Sequence, residues 1–340
     1  MKKGTAAALI LAGAALILDS RCAADSARDA LVLCAHTLVP SLFPLFVISA
    51  MLVPGLRGLR IPALARLLGV PGGAEGIWLL GLFGGFPVGA ACIAQAVETG
   101  ALPKGDARRM LGLCSLCGPA FLLGVLPQFL PMGQVLAILL LQAETSMLLA
   151  ALWPGRSNAV CSPHSESISL PDAVRRAIHS MISVCAWVVL AGVTAGFLRR
   201  WLFPFFPELL RTILTGLLEL TTGIFSLSAE NRFPLTALFV CFGGVSVLLQ
   251  ISGVAADPGI PMGTCLAQKA LQGLLGTALA AIYLHAGPAS LLLIPSLLFV
   301  KIMVEITSGL VYNDRERKGS QCCFERKWSA PASTAASARK

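Results

Sequence analysis

Two short phrases that begin with a carboxylate lie in otherwise apolar surroundings, where such residues could bind a solute or an ion. They read Glu-Leu-Thr-Thr-Gly at residues 219–223 and Glu-Ile-Thr-Ser-Gly at residues 305–309. Glu144 begins a partial repetition, Glu-Thr-Ser, inside another apolar run. A carboxylate at membrane depth is costly and usually faces a cavity, an ion or a cationic partner. Glu219 and Glu305 are therefore candidate binding residues, and the alternative is that they cap helices at the membrane interface.

The other residues that could do chemistry do not form a recognisable catalytic set. Lys269 and Lys301 lie near apolar segments and could pair with the acidic residues. Cys114 and Cys117 form one CxxC, which without a second pair or a nearby histidine is insufficient for a redox or metal site. The sequence contains no Walker A loop, no HExxH and no GxSxG elbow. We predict that the protein is not an enzyme and has no catalytic residue, metal site or cofactor.

The composition predicts an integral membrane protein. Of the 340 residues, 56% are hydrophobic and 13% are charged, and the mean hydropathy is +0.79. Soluble domains contain about 25% charged residues, so this chain could not cover a water-exposed surface. The net charge of +9 comes from basic clusters between apolar runs, which is typical of residues that set membrane orientation. The lipid bilayer is therefore the predicted partner, and a nucleic acid is excluded.

Long uncharged runs indicate a polytopic helical bundle, an all-α fold in the cell membrane. About 20 mostly apolar residues are needed for one spanning helix. The uncharged runs cover residues 30–56, 76–97, 110–143, 177–198, 233–256 and 270–300. The runs 110–143 and 270–300 are too long for one crossing each. We expect about eight to ten membrane segments, some of which enter the membrane and return on the same side.

Two of these runs are interrupted by helix-breaking residues. Residues 81–89 read Gly-Leu-Phe-Gly-Gly-Phe-Pro-Val-Gly, and residues 114–119 end in Gly-Pro. In a helix interior Gly costs about 1 kcal/mol and Pro about 3 kcal/mol. Backbone released from a helix inside a membrane must be buried in protein or line a water-filled cavity. A broken or re-entrant helix is therefore predicted at 81–89, with close helix packing through small residues as the alternative.

An internal repeat is predicted from the order of several phrases. Phe-Gly-Gly occurs at 83–85 and again at 242–244, and an Asp-Ala followed by a histidine opens a long apolar segment in each half. Paired segments with Gly and Pro interruptions are typical of transporter folds whose site lies at the repeat interface. The predicted divisions are a transmembrane segment at 1–27, a first repeat at 28–155, a linker at 156–171, a second repeat at 172–311 and a disordered basic tail at 312–340.

Several of these phrases together resemble the nucleoside-recognition (Gate) domain family of membrane proteins. The matching phrases cover roughly residues 28–310 in the family's order; they are residues 40–46, 84–90, 100–103, 118–121 with Gly124, and 242–247 with Gln250. The chain departs from the family at Ser115–Cys117, where members often have Asn. A polar contact to substrate at that position is therefore in doubt.

The resemblance implies a multi-pass protein of endospore-forming bacteria that is needed for spore cortex formation. It also implies transport of a small solute, because the Gate name derives from segments of nucleoside and ferrous-iron transporters. That second implication is an analogy of fold and does not identify the substrate.

The leading hypothesis is a transporter-like protein whose site lies between the two Phe-Gly-Gly segments. A small solute and a coupling ion are the expected partners, and assembly into a homo-oligomer stays open. The alternative is a non-transporting scaffold or regulatory factor in spore envelope assembly. The candidate substrate-binding residues are Gly84, Gly85, Phe86, Pro87, Gly118, Pro119, Glu219, Gly243, Gly244, Ser246, Gln250 and Glu305.

Overall fold

The fold contains helices and no β-strand over the residues that the computed structural model describes, which are 3–57, 61–152, 168–230 and 232–292. A π-helical turn, Cys34–Leu38, joins α2 to α3, and 3-10 turns follow α8, α10 and α15. The helices are α1 (Lys3–Leu18), α2 (Ser20–Leu33), α3 (Val39–Arg57), α4 (Pro62–Leu68), α5 (Glu75–Gly84), α6 (Phe86–Glu98), α7 (Lys104–Cys114), α8 (Pro119–Val125), α9 (Met132–Leu152), α10 (Leu170–Trp201), α11 (Glu208–Leu218), α12 (Leu220–Phe225), α13 (Arg232–Phe242), α14 (Gly244–Ala256) and α15 (Gly263–Ala286).

The lengths and outer faces of the helices are those of a membrane protein. Large apolar side chains such as Leu140 on α9 and Ile182 on α10 are exposed, as expected of a surface that contacts lipid. The protein is therefore an all-α, polytopic membrane protein, as predicted. Within the described ranges, five helical segments are long and apolar enough to cross a bilayer: Ser20–Ile48, Met132–Leu152, Leu170–Trp201, Arg232–Ala256 and Gly263–Ala286.

Interruptions of one to four residues separate several helix pairs, and the predicted breaks are among them. Gly85 separates α5 from α6, residues 115–118 separate α7 from α8, Glu219 separates α11 from α12, and Gly243 separates α13 from α14. The prediction of broken helices at 81–89 and 114–119 is thus confirmed. Both Phe-Gly-Gly phrases coincide with a break, although the repeat itself stays a prediction.

Glycine is required at two of these breaks by backbone geometry. Gly85 has φ 86° and ψ −178°, and Gly243 has φ 91° and ψ −17°. Both conformations are unfavourable for residues with a Cβ atom. The chain can therefore leave one helix and begin the next within a single residue, without a loop that would expose several backbone groups to lipid.

Small residues also bring the backbones of α5, α6 and the end of α7 into contact. Close helix packing through small residues, the alternative to a broken helix, is therefore present together with the break. A Cβ atom placed on Gly81 would lie 1.8 Å from the carbonyl oxygen of Cys114, and one on Gly89 would lie 2.1 Å from the same atom. No side chain fits at either position. The three helices therefore meet through main-chain atoms, which fixes the Gly85 break beside the 115–118 break.

Several predictions fall outside the described residues. Most of the predicted linker at 156–171 lies there, as do Glu305 and the whole of the predicted tail at 312–340. The predicted division at residue 27 falls inside α2, which continues without interruption to Leu33.

The close contact at Gly81 generates a stability prediction. Gly81→Ala is expected to lower the free energy of unfolding by about 1–3 kcal/mol, because the new methyl group overlaps the Cys114 carbonyl. Gly133→Ala, in α9, is the matched control because no atom lies within 4 Å of an added Cβ. That change should leave stability equal or slightly higher. Thermal unfolding of the purified proteins in detergent measures both, and equal melting temperatures would contradict the packing described.

Candidate functional site

A cavity of about 70 Å³ lies where three of the helix breaks meet. The breaks at Gly85, at residues 115–118 and at Glu219 contribute to its wall, and the first two turns of α14 complete the polar side. The opposite side is apolar and is formed by α3, α10 and the π-helical turn before α3. The side chains on this apolar side are Leu38, Leu42, Phe46, Val184 and Val188.

Most of the predicted binding residues lie around this cavity. Gly243 and Gly244 are just behind its wall: a Cβ on Gly243 would be 3.1 Å from the Phe86 ring, and one on Gly244 would be 3.2 Å from the Leu220 nitrogen. Pro87 and Pro119 lie in the first turns of α6 and α8. The predicted residues that line the cavity directly are Gly84, Gly85, Phe86, Gly118, Glu219, Ser246 and Gln250. Their role in substrate binding stays a prediction.

Glu219 is both a helix cap and a cavity-lining residue. Its carboxylate accepts hydrogen bonds from the backbone N–H groups of Thr221 at 3.0 Å and Thr222 at 2.6 Å, at the start of α12. The residue is only 2% exposed. The capping interpretation therefore holds for Glu219, and the cap is buried inside the protein. A carboxylate has about four acceptor positions, so two remain for a ligand.

Ser246 and Gln250 provide further polar groups from one face of α14. They are four residues apart, which places them on the same side of a helix, and both line the cavity. The Ser246 hydroxyl oxygen is buried and has no hydrogen-bond partner in the described part of the chain. Such an atom costs about 1–3 kcal/mol, so water or a ligand in the cavity would stabilise it. Val245 and Leu249 are exposed on the outer side of α14.

The size of the cavity limits what it can hold in this conformation. Engineered apolar cavities of about 150 Å³ bind benzene, whereas this one measures about 70 Å³. A nucleoside is larger than benzene and does not fit without movement of the walls. The volume is sufficient for a few water molecules, because one water needs only about 10–15 Å³ on the same measure.

The backbone released at 115–118 is satisfied by side chains from α9. The Gln142 amide forms two hydrogen bonds with Cys117: its oxygen accepts from the Cys117 N–H at 2.8 Å, and its nitrogen donates to the Cys117 carbonyl at 2.7 Å. The Ser146 hydroxyl donates to the Leu113 carbonyl at 2.8 Å and accepts from the Trp78 indole N–H at 3.0 Å. These bonds replace the helix bonds that the break removes.

Side chains of α15 satisfy other carbonyls along α7 and the break. Lys269 Nζ donates to the Ser115 carbonyl at 2.9 Å, and Gln272 donates to the Gly112 carbonyl at 3.2 Å. Gln268 donates to the Arg109 carbonyl at 3.0 Å. No ion pair among the described residues includes Lys269, and Glu305, one of its predicted partners, lies outside them.

The remaining candidates for chemistry lie apart from the cavity or have other surroundings. Glu144 is buried in the middle of α9 and does not line the cavity. Cys114 and Cys117 are buried free thiols. No group of three His, Cys, Asp or Glu side chains among the described residues could hold a metal ion.

Gln142, Gln268 and Gln272 were not among the residues expected to matter. Each is a buried amide in a long apolar helix, and this is the signal that could have indicated them. A buried amide must find partners, so its presence in the sequence predicts a nearby helix break, although it does not indicate which one.

The paired bonds of Gln142 allow a direct test of how the break is stabilised. Gln142→Leu removes both partners of Cys117 and leaves a buried N–H and C=O unsatisfied, so we expect a loss of about 2–4 kcal/mol in the free energy of unfolding. Gln134→Leu, at a half-buried position on the same helix, should change stability little. Unfolding in detergent measures both variants. Equal stability would mean that the amide does not support the break.

The comparisons with known proteins give one relative of weak similarity. The sporulation integral membrane protein YlbJ of Bacillus subtilis (strain 168) is 21% identical over 317 residues, an alignment that covers 76% of this chain and 77% of YlbJ. No protein-family model matches the chain, and no solved structure matches it. The chain is thus a multi-pass membrane protein with similarity to YlbJ.

Proposed function

We propose that this protein is a membrane carrier that moves a small polar solute through the site between its helix breaks. The observation that supports the proposal is the convergence of three breaks and a polar face of α14 on one cavity. Secondary transporters bind their substrates near the bilayer midplane, between interrupted helices. A helical bundle that transports no solute has no comparable reason to interrupt several helices around one cavity.

The proposed binding groups are Glu219, Ser246 and Gln250. Glu219 retains free acceptor positions, Ser246 has an unpartnered hydroxyl among the described residues, and Gln250 contributes an amide. Together they suit a small solute that carries hydrogen-bond donors. Because the sequence contains no nucleotide-binding loop, an ion gradient or the solute gradient itself would supply the energy.

We further propose that the protein acts in a sporulating cell and contributes to spore cortex formation. The support is its similarity to YlbJ, whose name describes a sporulation integral membrane protein, together with the resemblance to the Gate family. The alternative, a membrane scaffold or regulator without transport, is favoured by the small cavity, which admits no large solute in this conformation.

Access of water to the cavity is the first test. Ser246→Cys and Gln250→Cys, made in a cysteine-free background, should react with a membrane-impermeant maleimide at least about tenfold faster than Val245→Cys and Leu249→Cys. A carrier opens its site to water during transport, and a thiolate forms in water and not in lipid. The two control positions are on the outer side of the same helix. Labelling is measured in intact membrane vesicles. Equal rates at all four positions would remove the basis for a solute site.

The charge of Glu219 separates the carrier from the scaffold. Glu219→Gln preserves size and one acceptor for the α12 cap but removes the negative charge. In Bacillus subtilis lacking YlbJ and complemented by this protein, the variant should lower the yield of heat-resistant spores at least about tenfold at unchanged protein level. Glu208→Gln, exposed at the start of α11, is the control. Full activity of Glu219→Gln would favour the scaffold.

A further inference from the structure

Lys269 is a charged residue that is not part of the proposed solute site. It lies on α15, is 0% exposed, and is surrounded by protein on all sides. A buried lysine inside a membrane protein is expensive and normally pairs with an acid or with backbone carbonyls. No acidic side chain in the described ranges forms an ion pair with it. Among the described residues, the partners of its ammonium group are dipoles.

The groups that surround the Lys269 ammonium are those that would bind a monovalent cation. Nζ donates to the Ser115 carbonyl at 2.9 Å and to the Gln272 side-chain oxygen at 2.7 Å. It also lies 5.4 Å from the centre of the Phe86 ring, which is a cation–π distance. The three partners account for the three N–H groups of an ammonium ion.

The position of these groups matches that of a coupling ion in a carrier. Ser115 is the first residue beyond the C-terminal end of α7, where the helix dipole favours a positive charge. In transporters with discontinuous helices, unwound carbonyls and half-helix C-termini coordinate Na⁺. Phe86 contacts both sites, because its ring faces Lys269 and also lines the cavity.

We propose that the ammonium group of Lys269 is a built-in substitute for the coupling cation, so that the protein needs no Na⁺ at this position. The transport part of this inference rests on the proposed carrier function, whereas the binding part does not. With the amine removed, the Ser115 carbonyl, the Gln272 oxygen and the Phe86 ring remain as an empty cation site. A small soluble cation should then occupy it.

Thermal unfolding of the purified full chain in detergent tests the binding part. The wild type should melt at the same temperature in sodium, potassium or choline chloride. Lys269→Ala should melt lower in choline and gain roughly 5 °C on addition of Na⁺ or methylammonium, with a saturable dose dependence. Lys269→Met fills the space without a charge and should not respond to any cation. Lys104→Ala, at an exposed lysine that begins α7, should behave like the wild type.

A second variant allows the test to be made even if Lys269→Ala does not fold. Lys269→Ser leaves space beside the Ser115 carbonyl, as Lys269→Ala does, and adds a small hydroxyl, so a purely structural lysine would be replaced without a new cation requirement. We expect Lys269→Ser to acquire that requirement and to bind radiolabelled Na⁺, which the wild type should not bind. Two results would overturn the inference. One is a melting temperature of the wild type that depends on Na⁺, and the other is a melting temperature that no cation changes in whichever of the two cation-binding variants folds.

Uptake into vesicles separates this inference from the proposed function. The probe is radiolabelled ethanolamine, a small solute that carries hydrogen-bond donors. If it enters wild-type vesicles equally in sodium and choline buffers, both proposals gain support. If wild-type uptake requires Na⁺ and Lys269→Ala leaves that requirement unchanged, the cation substitution is refuted while the carrier function stands. If no solute enters in either buffer, the carrier function fails, and the melting experiment alone decides whether Lys269 fills a cation site.

Discussion

The structure depends on one constraint: every backbone group released from a helix inside the membrane must find a hydrogen-bond partner within the protein. The interruption at 115–118 is where this constraint is most visible. Its carbonyl and N–H groups are bonded by Gln142 from α9 and by Lys269 from α15. Because hydrocarbon offers no hydrogen-bond partner, the break is stable in the membrane only when α9 and α15 are packed against it. The break, α9 and α15 thus form one interdependent unit.

The same constraint divides the buried polar residues into two groups. Gln142, Ser146 and Lys269 are fully engaged with the backbone and hold the chain where it leaves α7. Ser246, by contrast, has a buried hydroxyl without a partner in the described residues and lines the cavity together with Gln250. A polar residue that the fold does not use, in a position where its burial is costly, is best explained by a ligand or by water.

The sequence was sufficient to predict the fold class and the breaks at Gly85, at residues 115–118 and at Gly243, because these glycines and Pro119 act locally on the backbone. The break at Glu219 was not predicted. The sequence did indicate the residue itself, since a carboxylate in an apolar run is conspicuous. It did not indicate that Gln142 bonds Cys117 or that Lys269 bonds Ser115, because these contacts depend on how helices far apart in sequence cross. An acid was the expected partner of Lys269, whereas the partner seen at the end of α7 in the described residues is the Ser115 carbonyl, where the helix dipole favours a positive charge.

The uneven distribution of hydrogen bonds around the cavity bears on how it could open. Residues 115–118 are bonded to α9 and α15, whereas Glu219 bonds only to the two helices that it joins, α11 and α12, among the described residues. Across the cavity, Gly243 approaches Phe86 through an apolar contact. Apolar contacts can slide at low cost, but a buried hydrogen bond broken in hydrocarbon has no substitute. A movement that enlarges the cavity would therefore displace α11, α12 and α14 and leave the α7 break with its supporting helices in place.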